Sequence, residues 1–329
     1  MSTEEEREEK EQQRPFADIL HGLLHGDDII YNDLPRLSDL HGDDFALFKT
    51  EWSKIDEERR NIIAHHLTDI TEVNFVVDFE SVFVLMLSDE NSDVRITGLN
   101  GLWDSVNVAL IPVILGIAHD DEVVDVQVAA ARTLTHYVLL AEWEELPIAA
   151  VAPIAPSLIE LYDEPQTAVS LKAAILEAIS PAPHPRLPVM IEDAYSSPDR
   201  QLRLSAIFAM GGTADERWLP ILIEEMDGYQ VDVRIEAIRA IGLIGDETAV
   251  PELINQLADE DDDIIAITIQ ALGEIGGDEA SETLRNLLEN PDYEQHEDLI
   301  DEALEIAHIL YEIEHMHTPD EFDGLNGHH

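Results

Sequence analysis

His308, Glu312 and His315 recur at i, i+4 and i+7, which sets two imidazoles and a carboxylate on one helix face. Those donors suit a divalent metal, yet no further ligand or supporting shell accompanies them. His65-His66 and His328-His329 stand apart from other candidate ligands. The run Asp259-Glu260-Asp261-Asp262-Asp263 has the look of a calcium loop. An EF-hand, however, needs Gly at its sixth position and Glu at its twelfth, where this chain has Ile264 and Gln270. The run therefore reads as a solvated turn. Cysteine is absent, which removes disulfides, thiolate metal sites and cysteine nucleophiles. No phosphate-cradling Gly loop or serine elbow occurs. No catalytic residue, metal site or cofactor is assigned, and the chemistry left to this chain is recognition.

Charge bounds the partner. The 329 residues carry 18 basic and 71 acidic side chains, a net −53. Such a field repels nucleic-acid phosphates and anionic membranes, and it attracts a basic protein surface. Solubility by self-repulsion and adaptation to high salt are equally physical readings, the second favoured by four lysines against fourteen arginines. All three can hold together. The acidic opening Met1–Glu6 is unlike a signal peptide, and no window holds 18 apolar residues free of charge. A monomeric cytoplasmic protein is the expectation.

Helices must position whatever binds. Leu, Ile, Val and Ala carry the apolar load, and aromatics are 6%. Residues 1–13 read as a disordered acidic arm and 316–329 as a disordered tail. Between 14 and 75 the patterns predict helices from Pro15 to about His25, over 43–53 and over 57–73, the last capped by Asp56. These read as an N-terminal helical cap. From 76 to 315 the sequence repeats. Asp232-Val233-Arg234-Ile235-Glu236-Ala237-Ile238-Arg239-Ala240-Ile241-Gly242 lies over 263–273 and over 201–211. The register positions are Arg95, Gln127, Lys172, Arg203, Arg234 and Ile265, with a weaker copy placing Ile300 35 residues on. Their steps are 32, 45, 31, 31 and 31 residues. Pro112, Pro156, Pro188, Pro220 and Pro251 open a first helix in five units, where the missing N–H costs nothing. Asp93, Asp125, Asp232 and Asp263 are the predicted N-caps of the second helices. The 45-residue step predicts a longer second helix and exit loop near 136–150, which would bend or break the stack.

The Asp-Val-Arg start, the Ala-Ile-x-Ala-Ile-Gly body and the first-helix proline resemble HEAT repeats, of the short kind found in phycobilin lyase subunits and deoxyhypusine hydroxylase. The resemblance implies an all-α, α-α superhelix of about seven helix pairs, an armadillo/HEAT-like solenoid. It implies a non-catalytic scaffold or adaptor for a protein partner; the alternative is a tetrapyrrole-handling accessory subunit related to the lyases. The hydroxylase holds two irons with several His-Glu pairs, and this chain has one, His296-Glu297, where four are needed.

Acid is distributed unevenly. In the nine residues from each of the first six register positions, only Glu177 and Glu236 are acidic, where the chain average predicts about 12. Burial of these helices accounts for part of that depletion. A ridge five residues past each register position should nevertheless point away from the core: Asn100, Arg132, Glu177, Phe208, Arg239 and Gln270, with Trp103 beside the first. In HEAT-like stacks second helices line the concave side, so this ridge is the expected partner site. Arg95, Arg203 and Arg234 are expected to be structural, each reaching an Asp of the adjacent turn.

Overall fold

A computed structural model describes residues 14–74 and 76–316; the acidic arm at 1–13 and the tail beyond Met316 lie outside the described residues. Among the described residues there are eighteen α-helices and no strand. They form two compact units, Met1–Ala178 and Ile179–His329. No described helix is long and apolar enough to cross a membrane.

The first unit opens with α1 (Phe16–His25), α2 (Gly42–Trp52) and α3 (Glu57–Val73). Helix α1 buries Ile19, Leu20, Leu23 and Leu24 and stops at Gly26. Asp56 caps α3 by accepting from the Arg59 N–H at 2.9 Å. Helices α4 (Glu80–Met86) and α5 (Ser92–Asn100) make the next pair, followed by α6 (Ile111–Asp120) and α7 (Val124–Glu142). At 19 residues α7 is the longest of this series, and with the short α8 (Ile148–Val151) it takes up the 45-residue step. Helices α9 (Ile154–Asp163) and α10 (Val169–Ile179) complete the run.

The second unit repeats one design four times: α11 (Leu187–Tyr195) with α12 (Arg200–Gly212), α13 (Leu219–Met226) with α14 (Val231–Ile244), α15 (Val250–Gln256) with α16 (Asp262–Ile275), and α17 (Gly277–Leu288) with α18 (Glu297–Met316). Each proline at 188, 220 and 251 sits in the first turn of its first helix. The second helices α12, α14, α16 and α18 lie side by side.

Small residues set that spacing. Gly211, Gly242 and Gly273, eight past their register positions, face Ala240, Ala271 and Ala303 of the following second helix. A Cβ on Gly211 would fall 2.6 Å from the Ala240 Cα, and on Gly273 2.8 Å from the Ala303 Cα. Only glycine lets the backbones approach this far. The same contact corrects the register of the last unit. Ala303 stands where Ala240 and Ala271 stand, so the register residue is Glu297, 32 after Ile265, and not Ile300. Ile300 instead takes the buried place of Ala237 and Thr268.

That register also sets α18 apart. The positions facing a following unit hold Ile207, Ile238 and Ile269, all buried, and the three close-approach glycines. On α18 the same positions hold Asp301 and Glu305, both exposed. Two charges stand where the preceding second helices have an apolar contact and a close backbone approach.

The N-caps fall two residues earlier than predicted. Asn91, Val123, Gln230 and Asp261 are the caps; Asp93, Asp125, Asp232 and Asp263 lie in the first turn. There their charge favours the positive end of the helix without bonding its amides. Asn91 and Asp261 do the capping, accepting from the N–H groups of Asp93 and Asp263.

Buried arginines join successive pairs. Arg95 forks onto Asp121 with two 2.8 Å bonds and donates to the Asp89 carbonyl. Arg203 meets Glu225 at 2.6 Å, a Glu rather than the predicted Asp. Arg234 meets Asp259 at 2.5 Å and donates to the Met226 carbonyl and Gln256. Arg60 of α3 does the same, reaching Asp89 at 2.9 Å and the Ile55 carbonyl. The arginine pattern thus starts within the predicted cap, one pair before the sequence repeat becomes visible. The acidic run at 259–263 is accounted for by these contacts: Asp259 receives Arg234 and Asp261 caps α16.

Candidate binding face

Helical geometry decides which side chains of the second helices stay open. Positions 3, 6, 7 and 10 past the register face the core or the preceding pair, and positions 4 and 8 face the following pair. Positions 5 and 9 are among those left at least partly open. In the second unit the fifth position carries Phe208, Arg239, Gln270 and Glu302. Phe208 and Arg239 are half-buried, and Gln270 and Glu302 are exposed. Since α12, α14, α16 and α18 are neighbours, these four form one row. Arg239 donates to Glu236 at 2.7 Å, a largely self-neutralised pair within a turn.

The first unit holds the other predicted residues. Asn100 and Arg132 are exposed on the neighbouring helices α5 and α7, and Trp103 is 45% exposed just past α5. Glu177 on α10 is half-buried. Lys172 lies over the Tyr162 ring, 5.1 Å from its centroid.

The ninth position makes a second row that the sequence reading missed: Gly212, Leu243, Glu274 and Ile306. Leu243 is 44% exposed and Ile306 37%, and α18 continues the apolar strip with Ile309 and Ile313. Glu274 lies between, one Oε against Gly242, where a Cβ would come within 2.4 Å of it. Glu274 is exposed, yet protein packed on one side of its carboxyl raises the pKa, while the Arg239 charge pulls the other way. The equivalent residue of α7 is His136, which burial pushes toward neutrality against the charges of Asp104 and Glu145 and the Ser105 backbone. Two titratable residues at one repeat position were the available signal. Counting net charge hid them, because a histidine and a single glutamate barely alter a sum.

Metal-binding chemistry gains no support here. Among the described residues no three His, Asp or Glu side chains gather as ligands. His308 and Glu312 approach at 3.5 Å, both well exposed, and the His315 side chain lies outside the described residues.

A family model described as HEAT repeats matches residues 187–266 and again 219–304. No curated protein matches the chain. Solved structures do. The Escherichia coli protein YibA is 18% identical, with 84% of this chain and 95% of that one aligned at a TM-score of 0.45. Human deoxyhypusine hydroxylase in complex with glycerol is 18% identical over 91% and 96%, at 0.33. Kap95p, solved bound to RanGDP, is 13% identical over 89% and 45%, at 0.46. Over residues 187–304, where helices pair, stack and are tied by arginines, this chain is an array of HEAT repeats.

Proposed function

We propose that the chain is a non-catalytic scaffold, acting as a cytoplasmic monomer, that holds a basic protein partner on the open face of its second helices. The row Phe208, Arg239, Gln270 carries the reading: an aromatic anchor beside a guanidinium and an amide, followed in the same row by the exposed Glu302. Such a mixture is enriched at the centres of protein interfaces. The acid elsewhere, −57 once the six second-helix windows are set aside, would steer a cationic partner toward the molecule while leaving the contact itself to apolar and polar groups. The ridge residues of the first unit, Asn100, Trp103, Arg132 and Glu177, are proposed as a contact surface of that unit in its own right.

The test is a double substitution, Phe208→Ala with Arg239→Ala. A partner captured at low salt and then purified should bind this variant about tenfold more weakly, since each change removes a centrally placed contact. Glu282→Gln on the exposed surface of α17 should leave affinity unchanged. Equal affinity for the double variant and the wild type would remove this face as the site.

A further inference from the structure

The second row of the open face, Leu243, Glu274 and Ile306, holds the most specific arrangement in the molecule. Glu274 is central to it. Among the described residues it accepts no hydrogen bond, although Arg239 lies near enough to feel its charge. Its carboxyl rests over the one residue of α14 that has no side chain to fill the space, Gly242. An exposed aliphatic side chain stands on the neighbouring second helix to either side. An exposed carboxylate with no protein donor loses its water when a bound segment covers it, and the segment must then supply a donor.

Resting on the proposed partner face, we infer that Glu274 is the subsite for one cationic side chain of the bound segment, a lysine or arginine, with Leu243 and Ile306 taking an apolar residue before and after it. Spacing makes the segment's pattern explicit. Packed helices lie about 8–10 Å apart, and the glycine–alanine contacts place these at the close end. An extended chain advances roughly 3.3 Å per residue. The cation therefore sits two to three residues from each apolar anchor. An ammonium or guanidinium supplies the missing donor and offsets the isolated negative charge. A neutral or acidic segment would leave the carboxyl unsatisfied beneath it. The occupant is thus an extended basic-apolar segment of another protein, selected at this point by charge and along its length by spacing.

The probe is a nine-residue peptide with a central lysine, a leucine two residues to each side, so that all three side chains share one face of the extended chain, and serine elsewhere. Its twin carries acetyl-lysine, which keeps the shape and removes the charge. Methyl NMR of the full chain reads both location and affinity. The lysine peptide should shift the Leu243 and Ile306 methyl resonances. Affinity should fall about tenfold with the acetylated twin and about tenfold with Glu274→Gln, the size of one charged hydrogen bond. Glu282→Gln controls for the loss of one charge from the field. Shifts at Leu243 and Ile306 that ignore acetylation and Glu274→Gln would overturn the cation subsite while leaving the face in place. Shifts confined to first-helix methyls, or none at millimolar peptide, would overturn the subsite and count against the face as well.

Discussion

Glu274 is a single residue whose surroundings raise the cost of its charge, and that has a consequence for stability. A carboxyl whose folded-state pKa is raised binds its proton more tightly folded than unfolded. The cost is absent below the ordinary value of about 4.5 and is present in full above the folded-state value. Glu274→Gln is therefore expected to melt above the wild type at pH 7, with the gap closing as the pH falls toward the ordinary carboxyl value of about 4.5. A variant that melts lower at pH 7 would mean the carboxylate is stabilised by contacts not recognised here. At this scale the sequence was informative where one residue type recurs and silent where it does not. Arg95, Arg203 and Arg234 stand out because the same residue returns at the same place. Arg60 performs the same task in α3 but hides among Glu57-Glu58-Arg59-Arg60, with none of the Ala-Ile-Gly body behind it. Its signal was the cap residue four positions earlier, Asp56, which matches Asn91 before Arg95 and Asp199 before Arg203.

At the level of elements, the helices and their pairing were legible because turn and apolar period, and in five units a first-helix proline, agree. The predicted 43–53 and 57–73 became Gly42–Trp52 and Glu57–Val73. Two features were not legible. N-caps slipped by two residues because aspartate suits both the cap and the first turn, and letters alone do not separate capping from helix-dipole complementarity. The last unit slipped by three because its second helix lacks the close-approach glycine that marks the three units before it. In its place stands Glu305, and Asp301 replaces the apolar residue one turn before. Those two charges distinguish this face of α18 from the faces of α12, α14 and α16 that pair with a following unit. Replacing them, Asp301→Ile with Glu305→Ala, restores the apolar, small pattern of α14 and α16. The double variant is expected to self-associate through α18, read as a mass increase in sedimentation equilibrium, while the wild type under the same conditions does not change. A variant that stays at the wild-type mass would show that α18 is closed by something other than these charges.

For the whole molecule, the ledger of charge and the repeat point the same way. Of the 71 acids, only Glu177 and Glu236 fall in the nine-residue windows of the first six second helices, whereas the last second helix, α18, is rich in acid. Burial explains the sparing at the core-facing positions. It does not explain it at Phe208 and Leu243, which reach solvent and are apolar. Composition showed that the chain is acidic; only the packing register shows which uncharged residues remain open, and that Glu274 is set among them. Site-specific photo-crosslinking tests the proposed face most directly. A benzophenone side chain is placed at position 208, at 239 or at 282, and the chain is irradiated in the extract from which its partner is purified. Discrete adducts from 208 and 239, mapping to a basic segment of the same protein, with none from 282, are the predicted result. Adducts from 282 as strong as those from 208 and 239 would contradict a binding site on the second helices.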